Sequence, residues 1–115
     1  MFLSTAARNL IRDALIWSRE RFGETAAARY RDLMKQALAD IAANPERPGS
    51  KARPELAISG VRSYHLFFSR DQARSELGIV RKPRHLIVYR SRGQTIEVIR
   101  ILHDGRDLQR HIPQD

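Results

Sequence analysis

The sequence predicts an α+β fold: a short N-terminal strand and an α-helical hairpin, then a small antiparallel β-sheet, in the order β-α-α-β-β-β. Three observations lead there. In the first half, Tyr30, Leu33, Met34, Ala37, Leu38, Ile41 and Ala42 recur at helical spacing. In the last third, two apolar runs, Leu86–Tyr89 and Thr95–Leu102, flank a Gly-containing turn at Ser91–Gln94, which is a hairpin signal. At 115 residues the chain has the length of one domain, taken as 1–115, and that length supports an ordinary core.

Taken in order, Phe2-Leu3 is the expected short first strand. Ser4 or Thr5 suits a helix N-cap, because its hydroxyl can accept a hydrogen bond from an orphan backbone N–H. Ala7, Leu10, Ile11, Ala14, Leu15 and Ser18 then form a helical stripe, with Trp17 and Phe22 near its end and Gly23 at the break. The second helix runs to Asn44-Pro45, and the short link at Gly23 predicts an antiparallel pair. Residues 46–57 read as a polar connector interrupted by Pro48 and Pro54. Ile58–Phe68 is a strand candidate, with Arg62, Tyr64, Leu66 and Phe68 on one face and Val61, Ser63, His65 and Phe67 on the other. Residues 69–84 form a basic loop carrying Arg70, Arg74, Arg81, Lys82 and Arg84. Strict alternation in the last strand puts Ile96, Val98, Arg100 and Leu102 on one face and Glu97, Ile99, Ile101 and His103 on the other. Both faces are partly apolar, so the sheet wants cover on its second face as well, from a partner or a docked tail.

Charge narrows the partner. The net charge is +8, with seven basic against six acidic residues up to Glu46 and fourteen against seven beyond it. The β-rich half is therefore the basic half, which suits an anionic partner such as nucleic acid or an acidic protein segment. Eighteen of the 21 basic residues are Arg, the better bidentate partner for carboxylate and phosphate. The absence of cysteine excludes disulfides and thiolate metal sites and fits a reducing compartment. No stretch approaches the ~20 apolar residues of a membrane span, so a soluble cytoplasmic domain is expected.

Several motifs, in order and at their spacings, resemble the ParE branch of the RelE/ParE toxin superfamily. They are Leu3-Ser4-x-x-Ala7, Phe22-Gly23, Ala42-x-Asn44-Pro45 and Gly60-Val61-Arg62-Ser63-Tyr64-His65. The final block adds Tyr89-Arg90 and Ile99-Arg100-Ile101-Leu102-His103, then Gly105-Arg106-Asp107. The short first strand and the long basic loop depart from the family pattern. The resemblance implies the toxin of a bacterial type II toxin–antitoxin pair, which binds and inhibits DNA gyrase and arrests growth. It also implies a cognate antitoxin with an acidic C-terminal segment, with operator DNA reached only through that antitoxin. On this reading Arg100, His103, Arg106 and Asp107 form the toxic surface, and Arg62, Arg90, Ile99, Arg100 and Ile101 meet the antitoxin. No cofactor and no membrane partner is expected.

The competing class is a RelE-like ribosome-dependent mRNA endoribonuclease. Such a reaction needs a base for the 2′-hydroxyl, an acid for the leaving oxygen and cations around the phosphorane. Arg62, Arg81 and Arg100 could supply the cations, and His65, His103 or His111 the proton transfer. The sharpest form of this reading uses Arg62, Arg81 and His111. For His65 and His103 a structural role beside the sheet is the alternative. Trp17 and Tyr30 read as hairpin packing rather than base-stacking platforms. Asp104 and Asp107 either hold Arg100 or Arg106 through ion pairs or belong to a solvated turn. The spacing of His103, Asp104, Asp107 and His111 matches no metal signature, and no phosphate loop or nucleophile elbow is present. Direct DNA binding by the basic face lacks any visible helix-turn-helix or zinc finger.

Overall fold

A computed structural model describes residues 3–56, 58–73 and 78–104. Helix α1 spans Thr5–Phe22, and helix α2 spans Glu24–Ala43. Ser4 caps α1, its Oγ accepting from the Ala7 N–H at 3.0 Å. Gly23 alone separates the helices, with φ 92° and ψ 176°, a backbone region open essentially only to glycine. That single residue reverses the chain into the expected hairpin. Helix α2 buries Tyr30, Leu33, Met34, Ala37 and Ile41, five of the seven residues read as its stripe, while Leu38 is half-buried and Ala42 exposed.

Four strands follow: β1 Lys51–Ala52, β2 Val61–His65, β3 His85–Arg92 and β4 Thr95–His103. They pair antiparallel in the order β1-β2-β3-β4. The α+β class, the helix hairpin and the antiparallel sheet are as expected, with one strand moved. Leu3 lies in no strand, and Phe2 falls outside the described residues. The connector instead contributes β1, placing Lys51 opposite Ser63 and Ala52 opposite Arg62. Its prolines flank the pairing residues rather than occupy them, so both backbone N–H groups remain free to bond.

The strand candidate of residues 58–68 is shorter than its composition suggests. His65 ends it, because its Nδ1 accepts the Phe67 N–H at 3.0 Å and caps a 3-10 turn over Leu66–Ser69. The turn is tied down from below. Tyr64 donates to Ser69 Oγ at 2.8 Å, and Ser69 donates to Asp40 of α2 at 2.6 Å. Phe68 is left half-exposed with its ring over Gly49, where a Cβ would sit 2.6 Å from Cγ. Gly49 also has φ +98°. Gly49→Ala is therefore expected to cost about 1–3 kcal/mol in a chemical denaturation series.

The final strand departs most from strict alternation. Val88 faces Arg100 while Tyr89 faces Val98, so Ile99 is an extra residue, a β-bulge. The bulge reverses the face of everything after it. Ile96, Val98 and Ile101 share the main core with both helices, together with Tyr64, Ile87 and Tyr89. Leu102 lies on the other face with Val61, Leu86 and Val88, against which Ile99 and Leu56 pack. The sheet is apolar on both faces, as expected, but Ile101 and Leu102 exchange the sides that alternation assigns them. Part of the second cover comes from the chain itself, through Leu56 of the connector.

Candidate partner-binding site

The second face carries an unfilled surface. Leu56 and Ile58 from the connector and Val61, Val88, Ile99 and Leu102 from the sheet enclose a groove of about 230 Å³. Arg100 stands at its edge, on the outer strand of the described sheet. The bulge is what places Ile99 and Arg100 side by side here, since consecutive residues of a regular strand would point apart. Arg100 has no ion-pair partner among the described residues, and it is exposed. Nearby, Arg90 and Arg92 share one carboxylate, Glu97, at 3.4 and 3.1 Å. The hydrogen bond from Arg92, with help from Arg90, holds Glu97 below the usual carboxylate range. An apolar floor beside an uncommitted guanidinium suits an acidic amphipathic segment.

Of the residues expected to meet an antitoxin, Arg90, Ile99 and Arg100 thus share this face. Arg62 and Ile101 do not. Arg62 points to the helix side, where its Nε donates to Ser50 Oγ at 2.7 Å and its guanidinium lies 3.8 Å from Glu46. Ser50 in turn meets Tyr89, whose hydroxyl donates to the Pro45 carbonyl. The result is a lock between the end of α2 and the sheet. Ile101 is buried in the main core.

A second cluster occupies the end of the sheet where β3 begins and β4 ends. His85 faces His103 across the strands, and both rings stack edge-on against Trp17 at 5.1 and 5.2 Å. Tyr30 donates to His85 Nδ1 at 2.5 Å and accepts the Arg84 N–H at 3.0 Å. Burial pushes the Tyr30 hydroxyl above its ordinary value, so it remains a donor. On the rim, Asp104 accepts from His65 Nε2 at 3.0 Å and from Arg84 Nε at 2.8 Å. Arg84 and His65 are thus its partners, not Arg100. His103 and Arg100, both expected on the toxic surface, lie on opposite faces. Arg106, Asp107 and His111 lie outside the described residues.

Burial pulls the Asp104 carboxyl upward, but the hydrogen bonds from His65 and Arg84 outweigh it and hold the group below its ordinary value. A carboxylate depressed in the folded state stabilises that state above its unfolded pKa, and the contribution disappears as pH falls through the folded value. The stability gap between wild type and Asp104→Asn is therefore expected to be full above about pH 4 and to close below it. Urea melts across that range measure it.

Of the nuclease set, Arg62 and Arg81 lie among the described residues and His111 does not. Arg62 pairs with Tyr89, while Arg81 lines a cavity with Trp17 and Tyr30, whose hydroxyl reaches His85. Tyr89 and His85 are four residues apart along β3, about 13 Å at strand spacing. Both ring nitrogens of His65 are engaged, by Phe67 and Asp104. Among the described residues, no group of three or more His, Cys, Asp or Glu could hold a metal ion, and no helix is long and apolar enough to cross a membrane.

A helix hairpin on one face of an antiparallel meander, with an apolar, cation-edged groove on the other, describes an α+β domain of the RelE/ParE type with a surface suited to a protein partner. The family comparison is specific: residues 2–108 match the model described as the ParE toxin of the type II toxin–antitoxin system, parDE. The chain belongs to the ParE toxin family, and is the toxin component of such a system with an antitoxin as its partner. No curated relative matches it.

Proposed function

We propose that this toxin acts by binding DNA gyrase, with no chemistry of its own, and thereby arrests bacterial growth. Its cognate antitoxin neutralises it by laying an acidic C-terminal segment over the second face of the sheet. It works in the cytoplasm and touches operator DNA only through that antitoxin. The observation that carries the antitoxin reading is the groove floored by Val61, Val88, Ile99 and Leu102, with Arg100 beside it and in no ion pair among the described residues. Gyrase as the target rests on family membership. The engagement of Arg62 by Ser50 and Glu46, and of both ring nitrogens of His65, supports binding over ribonuclease chemistry.

The deciding experiment runs a gyrase supercoiling and cleavage assay beside a ribosome-programmed mRNA cleavage assay. Inhibited gyrase with intact mRNA is the expected result; cleaved mRNA with untouched gyrase would replace this reading by the ribonuclease one. For the antitoxin, Arg100→Glu is expected to weaken binding about tenfold at low salt, with a smaller loss at high salt, because exposed charges are screened. Arg90→Glu is a poorer probe, since it also breaks the Glu97 pair. Equal affinity of wild type and Arg100→Glu across a salt titration would remove the charge component.

A further inference from the structure

The helix side of the sheet carries a cavity that neither the gyrase reading nor the antitoxin groove uses. It measures about 300 Å³ and opens between the helix hairpin and residues 79–82. Trp17, Phe22 and Tyr30 supply aromatic wall, and Arg29, Arg81 and Lys82 supply cations. Among the described residues, no carboxylate lines it. Phe22 is 65 % exposed although it is a large apolar side chain at a helix end, and it packs edge-on against Trp17 at 5.8 Å. None of the three cations forms an ion pair among the described residues. The Arg70 side chain braces the loop by donating from Nη1 to the Arg81 carbonyl at 2.9 Å.

We infer that this cavity is an acceptor site for an acidic peptide segment of a partner protein, in which one aromatic or aliphatic side chain enters the cavity and flanking carboxylates meet Arg29, Arg81 and Lys82. The physical case has three parts. An apolar concavity with an exposed aromatic lip stabilises an inserted hydrocarbon group by removing both surfaces from water. Three cations around one opening, with no ion pair among the described residues, favour negative charge on whatever enters, and repel a second copy of the same basic surface. The Tyr30 hydroxyl in its wall is already spent on His85 and the Arg84 N–H, so the aromatic surface between the cations suits an apolar side chain better than a polar one. The cavity and the second-face groove lie on opposite sides of the sheet, so the two can be filled at once.

Trp17 is the only tryptophan of the chain and forms part of the wall, so its fluorescence reports occupancy directly. The full chain is titrated with a synthetic peptide holding one phenylalanine between pairs of glutamates, and with the same peptide carrying glutamine for glutamate. The expected result is a saturable change in Trp17 emission with the glutamate peptide, weakened about tenfold by the glutamine replacement or by the double variant Arg29→Ala/Arg81→Ala. Phe22→Ser weakens binding as well, and Arg100→Glu on the opposite face leaves it unchanged. The peptide comparison needs no altered protein, so it stands even if a variant folds poorly. Three results would overturn the inference: no saturable emission change, equal binding of the two peptides, or a nucleoside monophosphate saturating the signal where the glutamate peptide does not. The measurement uses neither antitoxin nor gyrase, so its failure is separate from that of the proposed function.

Discussion

Ile101→Asp is expected to unfold the domain, while Ile99→Asp, two positions earlier, is expected to leave it folded. Ile101 is 6 % exposed in the core shared by both helices and the sheet. A carboxylate there has neither water nor a partner, and the lost apolar burial adds to the penalty. The sum is about 4 kcal/mol, most of the stability of a marginal domain of this size. Ile99 sits partly exposed on the other face, at the bulge, and its replacement costs about 1 kcal/mol. Its effect falls on binding instead, because Asp beside Arg100 spoils both the floor and the charge of the antitoxin groove. Urea denaturation and antitoxin titration of the two variants measure the contrast. Strict alternation assigns both residues to one face and so predicts similar outcomes; similar outcomes would mean that the bulge is misplaced.

Tyr30→Phe is the second large effect. Tyr30 is 3 % exposed, and its hydroxyl serves two groups at once, His85 Nδ1 and the Arg84 N–H. His85 itself is 2 % exposed. Removing the oxygen strands a buried ring nitrogen and a backbone donor, which costs about 2–3 kcal/mol. Because burial raises the Tyr30 pKa, the hydroxyl is protonated throughout the neutral range. Its contribution is expected to be constant there and to fade only as pH rises above about 10 toward the higher folded value. A double-mutant cycle with His85→Phe separates the pair from the packing: the cycle is expected to recover part of the loss, since removing both partners leaves fewer orphaned groups.

Much of the fold was legible in the sequence. The stripe from Tyr30 to Ile41 named the buried face of α2, and Gly23 and Asn44 marked its ends, because capping and helical period are local properties. The hairpin of the last third was equally plain, since alternating β-rich runs around a turn leave little freedom. Within it, the interval Ile99-Arg100-Ile101-Leu102 was misread. A bulge adds one residue to one strand without a sequence signature of its own, and it is decided by which side of the sheet the helices cover. For the site, the two-sided apolar character is visible in the sequence, but the side that Ile101 takes is not. Nothing local shows either that Ser50, twelve residues earlier, takes the Arg62 Nε–H.

By itself, then, the sequence determined the α+β class, the helix hairpin, the basic sheet half and the need for cover on a second face. These follow from periodicity, caps and charge counts, which act over a few residues or over the whole composition. Only the tertiary structure decided which isoleucine faces the core, that Arg84 and His65 rather than Arg100 hold Asp104, and that Trp17 meets His85 and His103. Those pairings join residues 18 to 86 positions apart in the chain, and no local rule of spacing reaches that far.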